Sequence, residues 1–177
     1  NLAQVLKDNG SDPYELFRRL GNDALKIVET FLTEEYSNCF PEYKKRTKVI
    51  VWVGRIHRNS DIFLNNIEKL SAPIDLHIIR ATFMSGSITG KVNSIDVNLE
   101  DLCSNFWMEV YNRWKGRIKI IPTEFELFLW VLGKYGCSVS RGDTVCRFKD
   151  LCPVGSRCSS ARIDMLDGYT KIDISRV

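Results

Sequence analysis

Apolar positions set the first expectations. Leu16, Leu20, Leu25, Val28, Phe31 and Leu32 recur at helical spacing, so residues 1–37 are predicted helical, with Ser11-Asp12-Pro13 as a start signal. A polar link over residues 41–48 carries Lys44, Lys45, Arg46 and Lys48. The run Val49-Ile50-Val51-Trp52-Val53, closed by Gly54, has the composition of a buried strand. Ser60-Asp61 reads as the cap of a helix through Leu70, ended by Pro73, and residues 74–83 read as a further strand. In residues 94–99, Ile95, Val97 and Leu99 alternate with Asp96 and Asn98, the pattern of a half-buried strand. A strand candidate at 117–121 is followed by a strong helix over 123–135, ended by Gly136. Asp167-Gly168 between two alternating runs predicts a closing hairpin. Helices and strands intermix without repeats, which gives a fold class of α/β or α+β.

Composition narrows this little. The 177 residues, 44% hydrophobic and 27% charged, suit a globular domain with a proper core. A net charge of +3 is too mild to announce nucleic acid by itself. No apolar run reaches bilayer length and no charged leader precedes an apolar segment, so the expected location is intracellular, cytoplasmic or nuclear, without a membrane. The chain begins at Asn1, which suggests a fragment or a processed form. Among six cysteines, Cys39 and Cys103 sit in apolar contexts, while Cys137, Cys146, Cys152 and Cys158 cluster. The cluster lacks the tight Cys-x-x-Cys knuckle, and His57 and His77 are distant in sequence, so zinc is disfavoured. An even count leaves a disulfide framework open, but without a signal peptide reduced thiols take precedence.

Candidate chemistry lies in the middle and at the end. Nucleotide transfer to a hydroxyl needs magnesium ions held by carboxylates on adjacent strands, and an acid-x-acid spacing on a strand aims two of them at one site. A Gly-Ser turn before such a strand lets backbone amides approach phosphates. Gly86-Ser87, Thr89-Gly90, Ser94-Ile95-Asp96 and then Ala161-Arg162-Ile163 with Lys171-Ile172-Asp173-Ile174-Ser175 stand in that order. Over residues 60–177 this resembles the nucleotidyltransferase palm of the DNA polymerase β superfamily, in its terminal uridylyl and adenylyl transferase branch.

The resemblance implies a small mixed sheet flanked by helices over 49–177, with a Cys-rich insertion at 137–158 and a helical extension over 1–48. It implies catalytic roles for Asp96, Glu100 and Asp173, substrate contacts at Gly86, Ser87 and Lys91, and magnesium at Asp96, Asn98 and Asp173. Asn98 departs from the pattern, because an asparagine stands where a carboxylate belongs. The reading is therefore a catalytically impaired domain that binds RNA or a protein. Its alternatives are an active magnesium-dependent, template-independent RNA 3′-end nucleotidyltransferase and an unrelated α/β interaction domain. Arg113, Lys115, Arg117 and Lys119 interleave with aromatics as single-stranded RNA binders do, although Trp107, Trp114, Phe125 and Trp130 are assigned to the core.

Overall fold

The computed structural model describes residues 5, 7, 12, 14–33, 35–36, 39–41, 45–88, 98–137 and 148–158, together with the backbone of 162–166 and 169–173. The described residues are mostly helical. In chain order they form α1 (Glu15–Arg19), α2 (Ala24–Leu32), α3 (Lys45–Asn59), α4 (Leu76–Met84), α5 (Leu99–Trp114) and α6 (Phe125–Val131). Helix α6 runs on into a π-helical turn, Leu132–Cys137, and the chain then reaches a hairpin of β1 (Arg162–Leu166) and β2 (Tyr169–Asp173). The chain divides into two compact units, Asn1–Pro73 with Met108–Phe125, and Ile74–Trp107 with Glu126–Val177.

The expected α/β palm is not what forms. Residues 49–53 lie inside α3, residues 76–83 of the second expected strand lie inside α4, and residues 118–121 carry no regular structure. Sheet among the described residues is the antiparallel hairpin β1–β2, whose register places Leu166 opposite Tyr169 and Arg162 opposite Asp173. Residues 61–70 are not a helix either. They carry no regular structure beyond one bridge between Asn65 and Asp23 and a single 3-10 turn, Ile67–Lys69.

Burial explains why the β-branched run became helix. Val49, Ile50 and Val53 are fully buried on one stripe of α3, against Ala24, Ile27, Val28 and Phe31 from α2. A β-branched residue loses at most about 0.7 kcal/mol in a helix. Burying each such side chain gains about 1.5–3 kcal/mol, so packing overrides propensity. Trp52 meets Phe17, Phe31 and Phe40 edge-on at 5.6, 5.0 and 5.6 Å, which closes the apolar core of this unit.

A clasp between two loops holds α2 in place. Asp23 caps α2, its carboxylate accepting from the amides of Leu25 (2.9 Å) and Lys26 (3.3 Å). The Asn66 side chain donates to the same carboxylate at 2.8 Å, while Asn65 accepts from the Ala24 amide and donates to the Asn22 carbonyl. Asn22 and Asn66 take left-handed backbone angles (φ 52° and 58°), which asparagine tolerates best after glycine. These short-range needs end any helix through residues 65–66.

Asp23 yields a pH-dependent prediction. Partial burial pushes its carboxyl up, but hydrogen bonds from Asn66, Lys26 and Leu25 outweigh that and hold it below the usual range. A depressed folded-state value means stability that is present above the ordinary carboxylate value of about 3.9 and lost as pH falls through the depressed one. Asp23→Ala is expected to cost about 0.5–2 kcal/mol at neutral pH by urea denaturation. The gap to wild type should close as the pH is lowered through that window; a constant gap down to acid pH contradicts the assignment.

Candidate functional site

Gly86 and Ser87 do something different from the expected phosphate turn. The Ser87 amide donates to the Thr82 carbonyl (3.1 Å) and the Gly86 amide to that of Phe83 (3.0 Å), which together make a Schellman cap on α4. Gly86 supplies the left-handed residue that cap requires, with φ +70°, and a Cβ there would lie 2.7 Å from the Arg157 carbonyl oxygen. The Ser87 hydroxyl shares a 2.8 Å hydrogen bond with that of Ser85, which bonds the Thr82 carbonyl. Both amides expected to grip phosphate are engaged in ending a helix.

Asn98 and Glu100 likewise begin a helix rather than lie on a strand. Asn98 Oδ1 accepts from the amides of Glu100 (3.0 Å) and Asp101 (3.3 Å), and its Nδ2 donates to the Asp101 carboxylate at 2.7 Å, so Asn98 caps α5. Glu100 stands in the first turn of that helix. Asp96 and Lys91 lie outside the described residues, and of Asp173 only the backbone on β2 is described. Among the described residues no three His, Cys, Asp or Glu side chains converge as a metal site. Cys39, Cys103, Cys137, Cys152 and Cys158 form no disulfide; Cys146 lies outside the described residues. Burial pushes the Cys103 thiol up to about 12, despite a hydrogen bond to Thr82, so it stays protonated and inert.

Three arrangements do converge. The first lies at the end of α5. Arg113, Trp114, Lys115, Arg117 and Lys119 are all exposed, and Trp114 keeps 46% of its surface in water rather than joining the core. The Arg117 guanidinium sits 5.4 Å from the Trp114 ring centre, within cation–π range. Arg113 pairs with Glu109 one turn earlier. No acidic residue interrupts positions 110–123, so this strip gathers four cations in a chain of net charge +3.

The second arrangement belongs to the other unit. Lys134 lies 4.2 Å from the Trp130 ring centre and 5.1 Å from that of Tyr135, and His77 meets Trp130 edge-on at 5.6 Å. Buried Arg80 donates to the Gly133 carbonyl at 3.2 Å, with His77 Nδ1 3.3 Å away. Burial lowers the His77 pKa; Asp75 opposes this, while Arg80 and Lys134 add to it, so the ring is neutral at physiological pH.

The third is a half-open cavity of about 360 Å³ in the same unit, bordered by the end of α4, the π-helical turn and residues 148–158. Its walls are overwhelmingly apolar, with the thiols of Cys137, Cys152 and Cys158 among them. Sequence patterning did not signal this cavity, because its walls come from three separated segments. The Gly136-Cys137 end of the helix was the nearest cue.

Comparisons with protein-family models, curated proteins and solved structures return no match. Among the described residues no helix is long and apolar enough to cross a membrane.

The π-helical turn can be tested by filling its contact. A Cβ at Gly133 would lie 1.8 Å from the His77 carbonyl oxygen, whereas one at Gly116 would meet nothing within 4 Å. Gly133→Ala is therefore expected to cost about 1–3 kcal/mol by urea denaturation. Gly116→Ala serves as the near-neutral control. Equal effects of the two substitutions contradict the close backbone approach.

Proposed function

We propose that this chain is a single-stranded RNA-binding module, reading RNA without sequence preference through the strip at residues 113–119. The observation that carries this is the exposed Trp114 ring flanked by Lys115, Arg117 and Lys119, with Arg113, which pairs with Glu109, one position before it. Single-stranded nucleic acid is held by just two elements, an aromatic face on which a base stacks and cations spaced along the phosphates. A tryptophan nearly half in water forfeits burial energy that a core position would supply, and stacking a base recovers it. The cations also oppose the negative end of the α5 dipole, so the strip is electrostatically compatible with its helix.

The test is fluorescence anisotropy of a labelled, unstructured RNA oligonucleotide titrated with the intact chain over a range of salt. Binding is expected to weaken linearly with the logarithm of salt concentration. Trp114→Ala is expected to lose about 1–3 kcal/mol with little change in salt slope. Removing Lys115 or Lys119 by glutamine should lower that slope by about 0.7 per cation instead. Salt-insensitive binding, or binding that ignores Trp114→Ala, overturns the proposal.

A further inference from the structure

We infer that the cavity of the second unit is a binding site for a single-chain amphiphile, a hydrocarbon tail with an anionic head such as a fatty acid. This site is separate in chemistry and in residues from the RNA strip and does not rest on it.

Three observations select that ligand class. The first is size: about 360 Å³ lies in the range of small-molecule sites, which is roughly 300–1,000 Å³. The second is the character of the walls. Met84, Val131, Leu132, Leu151, Pro153 and Val154 supply flexible aliphatic surface. The Ser85 hydroxyl, the one aliphatic hydroxyl in the lining, is already bonded to the Thr82 carbonyl and to Ser87. A nucleotide or sugar needs several directed hydrogen bonds, and a buried polar group without them costs about 1–3 kcal/mol. A hydrocarbon tail carries no such penalty.

The third observation is charge. Lys149 is the sole charged residue of the lining, and it is exposed to solvent. A tail seated among the apolar walls would leave its head in water at a rim whose one charged lining residue is a lysine, which favours a carboxylate over a cationic head. The walls also keep unsatisfied apolar surface. Leu151 is 84% exposed and Tyr135 59% exposed, and covering such surface is favourable at about 25 cal/mol per Å².

The thiols provide a readout independent of heat or fluorescence. Cys137, Cys152 and Cys158 line the cavity, are half-buried and carry no disulfide. A seated tail should shield them from alkylation, whereas Cys103, fully buried elsewhere, serves as the internal control.

The experiment titrates the intact chain with dodecanoate below its micelle concentration, followed by calorimetry and by mass spectrometry of iodoacetamide-labelled cysteines. The expected result is saturable binding with slowed labelling of Cys137, Cys152 and Cys158. Val154→Arg, which places a charge in a half-buried wall position, should abolish both signals. Lys149→Gln should weaken dodecanoate by about two- to fivefold, the range of an exposed ion pair, and leave dodecyltrimethylammonium equal or tighter, since a like-charge repulsion is removed. Circular dichroism melting of each variant separates lost binding from lost folding, and Lys149→Gln, at an exposed position, keeps the test open if Val154→Arg unfolds. No saturable binding of dodecanoate, or binding without thiol protection, overturns the site. An unchanged dodecanoate affinity in Lys149→Gln overturns the anionic-head assignment.

Discussion

The second unit depends on one contact made without side chains, the approach of Gly133 to the carbonyl of His77. A Cβ at position 133 would sit 1.8 Å from that oxygen, so no other residue type fits without moving a backbone. The contact sets the π-helical turn directly on α4. A π-helical turn widens a helix by an inserted residue and turns its later side chains to new directions. Here the consequences are concrete. The Gly133 carbonyl comes within reach of Arg80, Lys134 comes over Trp130, and Leu132 and Cys137 face the cavity. Relieving the contact would shift all of these together.

Helix α4 bears that contact because it is buried on every side. Residues 78–84 are all buried, including Arg80 and Thr82, so α4 is a central element rather than a surface helix. Its polar members are satisfied internally. Thr82 bonds the Ile78 carbonyl at 2.7 Å and accepts from the Trp107 indole at 2.9 Å, and Arg80 bonds the Gly133 carbonyl. Such groups specify one arrangement, since any slip of α4 would leave a buried donor unmade at about 1–3 kcal/mol. The first unit solves the same problem differently. There the specifying polar groups sit in the loop clasp of Asp23, Asn65 and Asn66, and its largely aliphatic core is closed by the aromatic cluster of Phe17, Phe31, Phe40 and Trp52.

How much of this was readable beforehand depends on what each segment's signal can discriminate. The helical character near residues 15–32 was legible, because apolar positions there recur with a clear helical period and α2 buries that stripe. So was the helix beginning near Thr123, and so was the pairing of the two runs on either side of Asp167-Gly168, with Leu166 opposite Tyr169. The runs at 49–53 and 74–83 were not. The first is continuously apolar and has no period. The second alternates over residues 74–78 before Arg80 and Thr82 break the pattern, so in both a buried strand and a buried helix look alike. Only the neighbours decide, and they lie far away in the chain. The Gly86-Ser87 pair misled for a related reason. A glycine followed by a serine suits a phosphate turn and a Schellman cap equally, and the distinguishing fact is whether a helix precedes it. Once α4 is helix, the amides of Gly86 and Ser87 are committed to carbonyls of its last turn.

Asn98 shows the same dependence from the opposite side. On a strand it would be a damaged metal ligand; before a helix it is among the best capping residues, and its carbonyl oxygen meets two amides. Its presence therefore needs no lost chemistry to explain it. Tryptophan 114 carries the converse lesson. Helical spacing assigned it to the core, yet α5 passes its last turn into exposed chain, so position along the helix outranks spacing. That single displacement, from interior to surface, turns a structural aromatic into the one residue of the strip that salt cannot screen. On the proposed RNA reading, cations alone would make an adhesive surface whose hold fades with ionic strength, and the ring would add a contribution that persists.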